Sequence, residues 1–365
     1  MTENQFEYEY TFPAIKGLQA GAEYFVTMCP LKLIPKIFLF NEEEMLPEFR
    51  AQRLLNKQRI PEMASYIVEN KHSYVFSAIT ASIDGTPRFA TTSEVGGSQN
   101  IGTLHIPMSS QFVINDGQHR RAAIEHALKS DPELGNETIA VVFFTDPGLA
   151  KCQQMFADLN RYAVRPSRSI GVLYDHRDEI AEVSRQLISK LPFFREFVEM
   201  EKTTLAPRSK RLFTFSSLYG ANKALLSDLE LEIEDANKLA VEFWLAVSQQ
   251  IKEWELVRAR QLTAGEVRED FIHTHGVILQ ALGRAGNALI KSKELNWKHR
   301  LENLKEISWK RSNIEVWEGR ALINGRLSKA SRSVILSSNA IKLALGLKLS
   351  TEELRLEKEM DFSNE

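Results

Sequence analysis

Asn115-Asp116-Gly117-Gln118-His119-Arg120-Arg121-Ala122-Ala123-Ile124 is the stretch on which the reading of this chain turns. Strand-forming Gln111 to Asn115 runs into the tight turn Asp116-Gly117, and a helix is predicted over Gln118 to Ser130. Glycine at such a turn lets the backbone approach a ligand closely, and the unpaired amides of a helix start favour an anion. Arg120 lies four residues before Ile124 on the core-facing stripe, so its guanidinium is expected over the strand ends. A planar, five-donor group there suits phosphate oxygens. Arg121 falls on another face, where a solvated pair with Glu125 is expected. His119 could donate to a phosphate, act as an acid or base, or be structural. Asp116 is expected to cap the helix, with a catalytic role as the alternative, and Gln118 could meet a base, a ribose or the backbone.

Outward from this turn, Glu42 to Asn70 reads as helix, with Pro61 opening its second part. Tyr74 to Ile83, Ile101 to Ile106 and Ile139 to Phe144 read as strands, the last buried on both faces. A helix opened by Asp146-Pro147 should reach about Asn160. Beyond Asp175 helical periodicity takes over, at Arg177 to Lys190, Leu218 to Leu226, Glu234 to Leu256, Phe271 to Lys291 and Ile335 to Leu347. The expectation is an α+β protein with a mixed α/β domain over 1–175 and a mostly helical domain over 176–365.

A second constellation is Asn160-Arg161-Tyr162-Ala163-Val164-Arg165-Pro166-Ser167-Arg168-Ser169. Asn160 should end its helix. Arg161, Arg165 and Arg168, interleaved with Tyr162 and two serines, could track phosphates or form a solvated basic turn. Arg208-Ser209-Lys210-Arg211 is a further short basic patch. The 291–334 stretch holds eleven Lys/Arg against five Asp/Glu, and the tail from Thr351 to Glu365 reverses the balance with six acids against two bases. That tail could be a solvated end or a competitor for the basic surface. Trp297, Trp309 and Trp317 could stack on bases, although helix packing is the commoner use of tryptophan. His273 and His275 are two apart and share no helix face, so packing is expected, not a metal.

The net charge of −2 excludes a molecule that is basic all over, so any phosphate-binding surface must be local. Hydrophobic residues at 43% and charged residues at 26% fit an ordinary globular protein. No secretory signal or membrane-length apolar run is evident, and two cysteines, Cys29 and Cys152, fit a reducing cytoplasm. Each cysteine reads as a small buried hydrophobe. No GxxxxGK[ST] loop and no carboxylate set for Mg²⁺ is found.

The string Asp116-Gly117-Gln118-His119-Arg120 resembles the signature of the DndB, or DGQHR-domain, family of DNA sulfur-modification proteins. Further segments resemble that family in order: Gln52-Arg53 and Arg59, Phe156 to Asn160, Thr203-Thr204-Leu205, His275-Gly276-Val277, and Trp317 with Gly325-Arg326. The first domain is also similar to the ParB and sulfiredoxin superfamily, whose Gly-x-x-Arg turn Gly117 and Arg120 match. The resemblance implies a cytoplasmic, DNA-binding accessory or repressor of a DNA phosphorothioate-modification operon. Its partners would be the operon promoter or modification sites, other components of the modification complex, and further copies of itself. Two alternatives stay open: a nucleotidase or nuclease holding ATP or CTP at the Gly117 turn, with His119 or Asp116 near the reacting group, and a protein scaffold.

Overall fold

A computed structural model describes residues 8–39, 56–92, 99–145, 149–161, 166–292 and 296–361, so the candidates Arg53 and Arg165 lie outside the described residues. Contacts divide the chain into two compact units, Met1–Val164 and Arg165–Glu365.

In the first unit β1 (Glu9–Gln19) and β2 (Ala22–Pro30) form a hairpin the sequence reading did not find. Its turn, Ala20-Gly21, has left-handed φ of 49° and 78°, which suits the strand twist. The other strands are β3 (Ile79–Asp84), β4 (Arg88–Thr91), β5 (Ile101–Pro107), β6 (Gln111–Asp116) and β7 (Thr138–Thr145). Among the described residues they make one mixed sheet, ordered β4-β5-β1-β2-β7-β3-β6, in which β3 and β7 pair in parallel. The expected strand at Tyr74 starts only at Ile79. Before it, the Val75 amide donates to the Tyr66 hydroxyl, and Tyr74 and Phe76 pack against each other. In β7, Ile139, Val141 and Phe143 are buried while the alternate residues are half-buried, so one face carries the core and the other is only partly covered.

Among the described residues four α-helices accompany the sheet: α1 (Ile34–Ile37), α2 (Ile60–Glu69), α3 (Gln118–Ser130) and α4 (Leu149–Arg161). Pro61 sits in the first turn of α2, and α3 has the expected bounds. The core gathers Phe12, Phe25, Ile79, Leu104 and Phe143 with Ile67 of α2 and Ile124 of α3. Cys29 and Cys152 are both buried and form no disulfide, and burial pushes the Cys29 thiol up to about 12, far from the reactive thiolate range.

The second unit is mostly helical. It runs α5 (Arg168–Leu173), α6 (Glu179–Lys190), α7 (Pro192–Phe197), β8 (Val198–Glu199), β9 (Phe213–Thr214), α8 (Phe215–Leu226), α9 (Ile233–Ser248), α10 (Lys252–Arg258) and α11 (Ala264–Asp270). It continues with α12 (Gly276–Lys291), α13 (Trp297–Arg300), α14 (Ile314–Trp317), β10 (Leu322–Ile323), β11 (Arg326–Leu327), α15 (Ser331–Ala344) and α16 (Thr351–Asp361). The single helix expected over Glu234 to Leu256 is two, because Ile251 is extended and begins α10. Likewise α12 starts at Gly276, not Phe271: Phe271 is extended and bridges Lys310, and the Ile272 amide donates to the Trp309 carbonyl.

At the centre of this unit buried Phe194 packs edge to face on Trp244 and Trp254, and Phe213 edge to face on Trp254. Trp309 stacks on Trp317, and Trp297 leans on Phe243, so these tryptophans pack helices. His273 is fully buried against Trp254 and accepts from its indole N–H at 2.9 Å, so it packs as expected. A side chain at Gly276 would meet Ser217, one at Gly220 would meet Gln280, and one at Gly283 would collide with the Ala221 carbonyl. These contacts rise together along both helices, so α8 and α12 run parallel and side by side, with their N-termini at the same end.

Candidate functional site

At the Gly117 turn, Gly117 takes φ 111°, a conformation L side chains rarely adopt. A Cβ there would stand 3.0 Å from Ile79 and 3.2 Å from Arg120 Nε. Gly117 occupies the N-cap position of α3 and no side chain caps the helix, so Asp116 does not perform the capping expected of it. Its carboxylate instead accepts from Arg120 Nη2 at 2.5 Å. Arg120 Nη1 donates to the carbonyl oxygen of Ser77 at 3.0 Å and to the Ser77 hydroxyl. The guanidinium does lie over the strand ends, but both its terminal nitrogens are engaged in tying the segment just before β3 to the end of β6.

Arg121 corrects another expectation. It pairs with Glu125, yet it is not solvated: it is 9% exposed and donates to the carbonyls of Phe38 at 2.9 Å and Pro35 at 3.2 Å. The helix therefore uses it to hold the chain around α1. His119 Nε2 accepts from the Asn56 amide at 3.0 Å, which requires that nitrogen to be unprotonated and brings the turn carrying exposed Arg59 beside α3. Gln118 is buried. Asn160 donates back to the Phe156 carbonyl near the end of α4, and Arg161 is exposed at that end.

In the second unit a cavity of about 900 Å³ opens where α8 and α12 begin. It is lined by Thr203 to Leu205, Arg208, His275 to Val277 and Arg168, four pieces the sequence had singled out separately, and by Leu327, which follows Gly325-Arg326. Five cationic side chains line it, Arg168, Arg208, Arg268, Arg311 and Lys329, against the two acids Glu266 and Glu269, an excess of three positive charges. Glu266 is occupied, since its carboxylate accepts from the Thr263 amide and hydroxyl in a capping box that opens α11. Those bonds hold its carboxyl below the usual range.

Arg268 builds the rim. Its two terminal nitrogens donate to the carbonyls of Ser209, Ala206 and Pro207 at 2.8–2.9 Å and to that of Arg211. Four carbonyls from one loop are thereby turned inward, and Arg208 is left exposed at the cavity. Lys210 is exposed but does not line the cavity, and Arg211 turns away to donate to the Glu196 carbonyl. Burial pushes the Arg268 guanidinium down from its ordinary value.

Deeper in, Thr214 caps α8 and shares its hydroxyl with Ser217 at 2.7 Å, while Ser216 meets Ser169 at 3.2 Å. Thr274 is 5% exposed and its hydroxyl has no partner, and Arg311 Nε is also buried without one. His275, the N-cap of α12, places Nε2 3.0 Å from the Arg268 carbonyl. Arg311 Nη2 lies 3.3 Å from the same nitrogen, and the two contacts demand opposite tautomers. We assign the proton to Nε2, donating to the carbonyl, because Arg311 can donate to that carbonyl as well, at 3.4 Å. Burial first, then the neighbouring arginines, holds His275 down to about 4, so the ring is neutral at pH 7.

The described part of the acidic tail is the helix α16 (Thr351–Asp361), not a solvated end. Glu353 of α16 is buried and accepts from Lys342 at 2.6 Å, Arg284 at 3.2 Å and the Ser350 amide at 3.1 Å. Burial would raise its carboxyl, but these donors outweigh it and hold it at about 2. Glu357 pairs with Arg320, and Glu359 with Arg332. The tail thus neutralises Arg284 and Lys342, which line the adjoining cleft, while its described ion pairs reach none of the five cations of the larger cavity.

Sequence reasoning missed Arg268, Thr274, Arg311 and Lys329. Arg311 and Lys329 lay inside the flagged basic stretch, but Arg268 sits in Glu266-Val267-Arg268-Glu269-Asp270, where neighbouring acids mask it. Among the described residues no His, Cys, Asp and Glu cluster could hold a metal ion, and no helix is long and apolar enough to cross a membrane.

Fold and site together define an α+β protein with a seven-stranded mixed sheet and a helical unit that carries a basic cavity. The family model for DndB, described as DNA-sulfur modification-associated, matches residues 12–348, and the chain belongs to that family. Comparison with curated proteins and with solved structures gave no match.

Proposed function

We propose that this protein is a DNA-binding accessory and transcriptional regulator of a DNA sulfur-modification system, engaging backbone phosphates through the basic cavity of its second unit. The observation that carries the reading is the local excess of three positive charges on a chain whose net charge is −2. Arginine and hydroxyl side chains are the groups that meet phosphate oxygens, and both line this cavity. The family's association with DNA sulfur modification supplies the setting, in which the operon promoter or modification sites would be the target and the other modification components the protein partners.

The nucleotidase alternative, with ATP or CTP at the Gly117 turn, has less behind it, because both terminal nitrogens of Arg120 are engaged by Asp116 and Ser77. The test is a titration of labelled operon-upstream duplex against random duplex at two salt concentrations. Binding should weaken steeply with salt, and Arg168→Ala and Arg208→Ala should each lower the slope by about 0.9, the loss of one phosphate contact. A salt-independent affinity, or slopes unmoved by both substitutions, would refute this reading.

A further inference from the structure

We propose that the floor of the second-unit cavity is a subsite for a phosphate monoester or a comparable tetrahedral oxyanion, held by Arg311 Nε, the Thr274 hydroxyl and the first-turn amides of α12. This rests on the reading of the cavity as a phosphate site and sharpens it, from a surface that meets phosphodiesters to a pocket that takes one phosphoryl head.

Two buried polar atoms ask for a guest. Thr274 is 5% exposed, lines the cavity, and its hydroxyl has no partner. Arg311 lines the same cavity with its Nε buried and unpartnered, while Nη2 reaches the Arg268 carbonyl. Buried groups of this kind are normally satisfied by protein, water or ligand. Two unpartnered buried donors on residues that line one cavity are complementary to an acceptor-rich anion.

The helices add an independent reason. α8 and α12 run parallel, with Gly276 against Ser217 at their shared end, and each carries roughly half a positive charge at its N-terminus. Parallel dipoles side by side repel, and an anion at the common positive end relieves that repulsion. The first amides of a helix have no acceptor within it, so those of Gly276 and Val277 are available by construction, and both residues line the cavity. Gly276 matters here because a side chain there would press on Ser217 at the shared helix end.

A monoester fits better than a diester. A phosphodiester carries chain on two of its oxygens and shows two more, whereas a monoester enters head first and shows three, one each for the guanidinium, the hydroxyl and the amides. The cavity, about 900 Å³, exceeds a phosphoryl group and leaves room for whatever the phosphate is attached to.

The experiment uses the full chain. Inorganic phosphate should raise its melting temperature beyond sodium chloride of equal ionic strength. Thr274→Val and Arg311→Gln should each weaken phosphate about tenfold, the effect of losing one hydrogen bond to a charged group. Thr274→Val removes an unpartnered hydroxyl with little change in shape, so the variant without phosphate should melt no lower than wild type, and folding is not confounded with binding. A 5′-phosphorylated oligonucleotide that displaces phosphate where its 5′-hydroxyl twin does not identifies a nucleic-acid end as the source. Displacement by a nucleoside monophosphate identifies a free ligand. No phosphate response beyond chloride, a response unchanged in both variants, or displacement by neither monoester overturns the proposal. Should wild type respond to phosphate yet bind no duplex, the DNA reading fails and the subsite stands; steep duplex binding without a phosphate response gives the converse.

Discussion

The helix starts at Gly117 and at Gly276 look alike on paper and differ in what their neighbours leave undone. Each puts a glycine at the opening of a helix longer than three turns, with histidine and arginine close by. At Gly117 the arginine is consumed by the fold, through Asp116 and Ser77. At Gly276 the fold leaves Thr274 Oγ1 and Arg311 Nε without partners and sets five cations around the opening. An arginine near a helix N-terminus becomes a phosphate site only when its donors are not already needed by the protein itself.

The largest effect should come from Arg268. Replacing it by alanine strands four loop carbonyls, and a loss of roughly 4 kcal/mol, read by urea denaturation, is expected together with loss of duplex affinity as Arg208 is released. If affinity survives while stability falls, the rim contributes nothing to binding and the contrast between the two helix starts weakens.

Next in size is the acid response of the second unit. Between pH 6.5 and 4 the unfolded chain takes up a proton that buried His275, held to about 4, refuses, so stability falls as pH drops through that window. Between 4.5 and 2 the unfolded chain protonates the counterpart of Glu353, whose folded carboxyl stays ionised down to about 2, and stability falls again. Glu353→Gln should flatten this lower limb, removing a pH dependence worth roughly 3 kcal/mol. An unchanged acid limb in that variant would mean that α16 is not held by its ion pairs.

Arg120→Met should cost roughly 2 kcal/mol of stability, since it leaves the Ser77 carbonyl and the Asp116 carboxylate without their donor. Duplex affinity of the folded protein should not change. A tenfold loss of affinity at constant fold, read by anisotropy, would return the phosphate site to the Gly117 turn and reverse the comparison.

How much of this was legible in sequence depended on whether the signal was local. The α3 bounds, the strands β5 and β6 and the helical second half follow from periodicity and turn chemistry within a dozen residues. The β1–β2 hairpin escaped because its turn is Ala20-Gly21, without the Asn-Gly or Asp-Gly that announces such turns, and because Pro13 and Gly17 dilute β1. Arg120 was placed correctly over the strand ends, yet its partner Ser77 lies 43 residues away, so sequence could not count its occupied donors. The cavity joins residues from Arg168 to Val334, and its three most informative pieces, Thr203 to Leu205, Arg208 and His275 to Val277, were visible only as separate fragments.

The smallest predicted effect separates the two glycines themselves. Gly117→Ala forces an L residue to φ 111° and brings a methyl to 3.0 Å from Ile79, which should lower stability by about 1–2 kcal/mol. Gly276 has no such backbone demand, and its added methyl would meet the Ser217 hydroxyl at 2.9 Å, a group that can rotate aside. Gly276→Ala should therefore change stability by less than about 0.5 kcal/mol, as alanine favours a helix start that does not need glycine. The comparison is sharpest here because the ordering of the two thermal shifts tests geometry alone, with no charge altered. Equal losses would mean that the two turns are held by the same constraint, and that the difference in their unpartnered donors has no counterpart in the backbone.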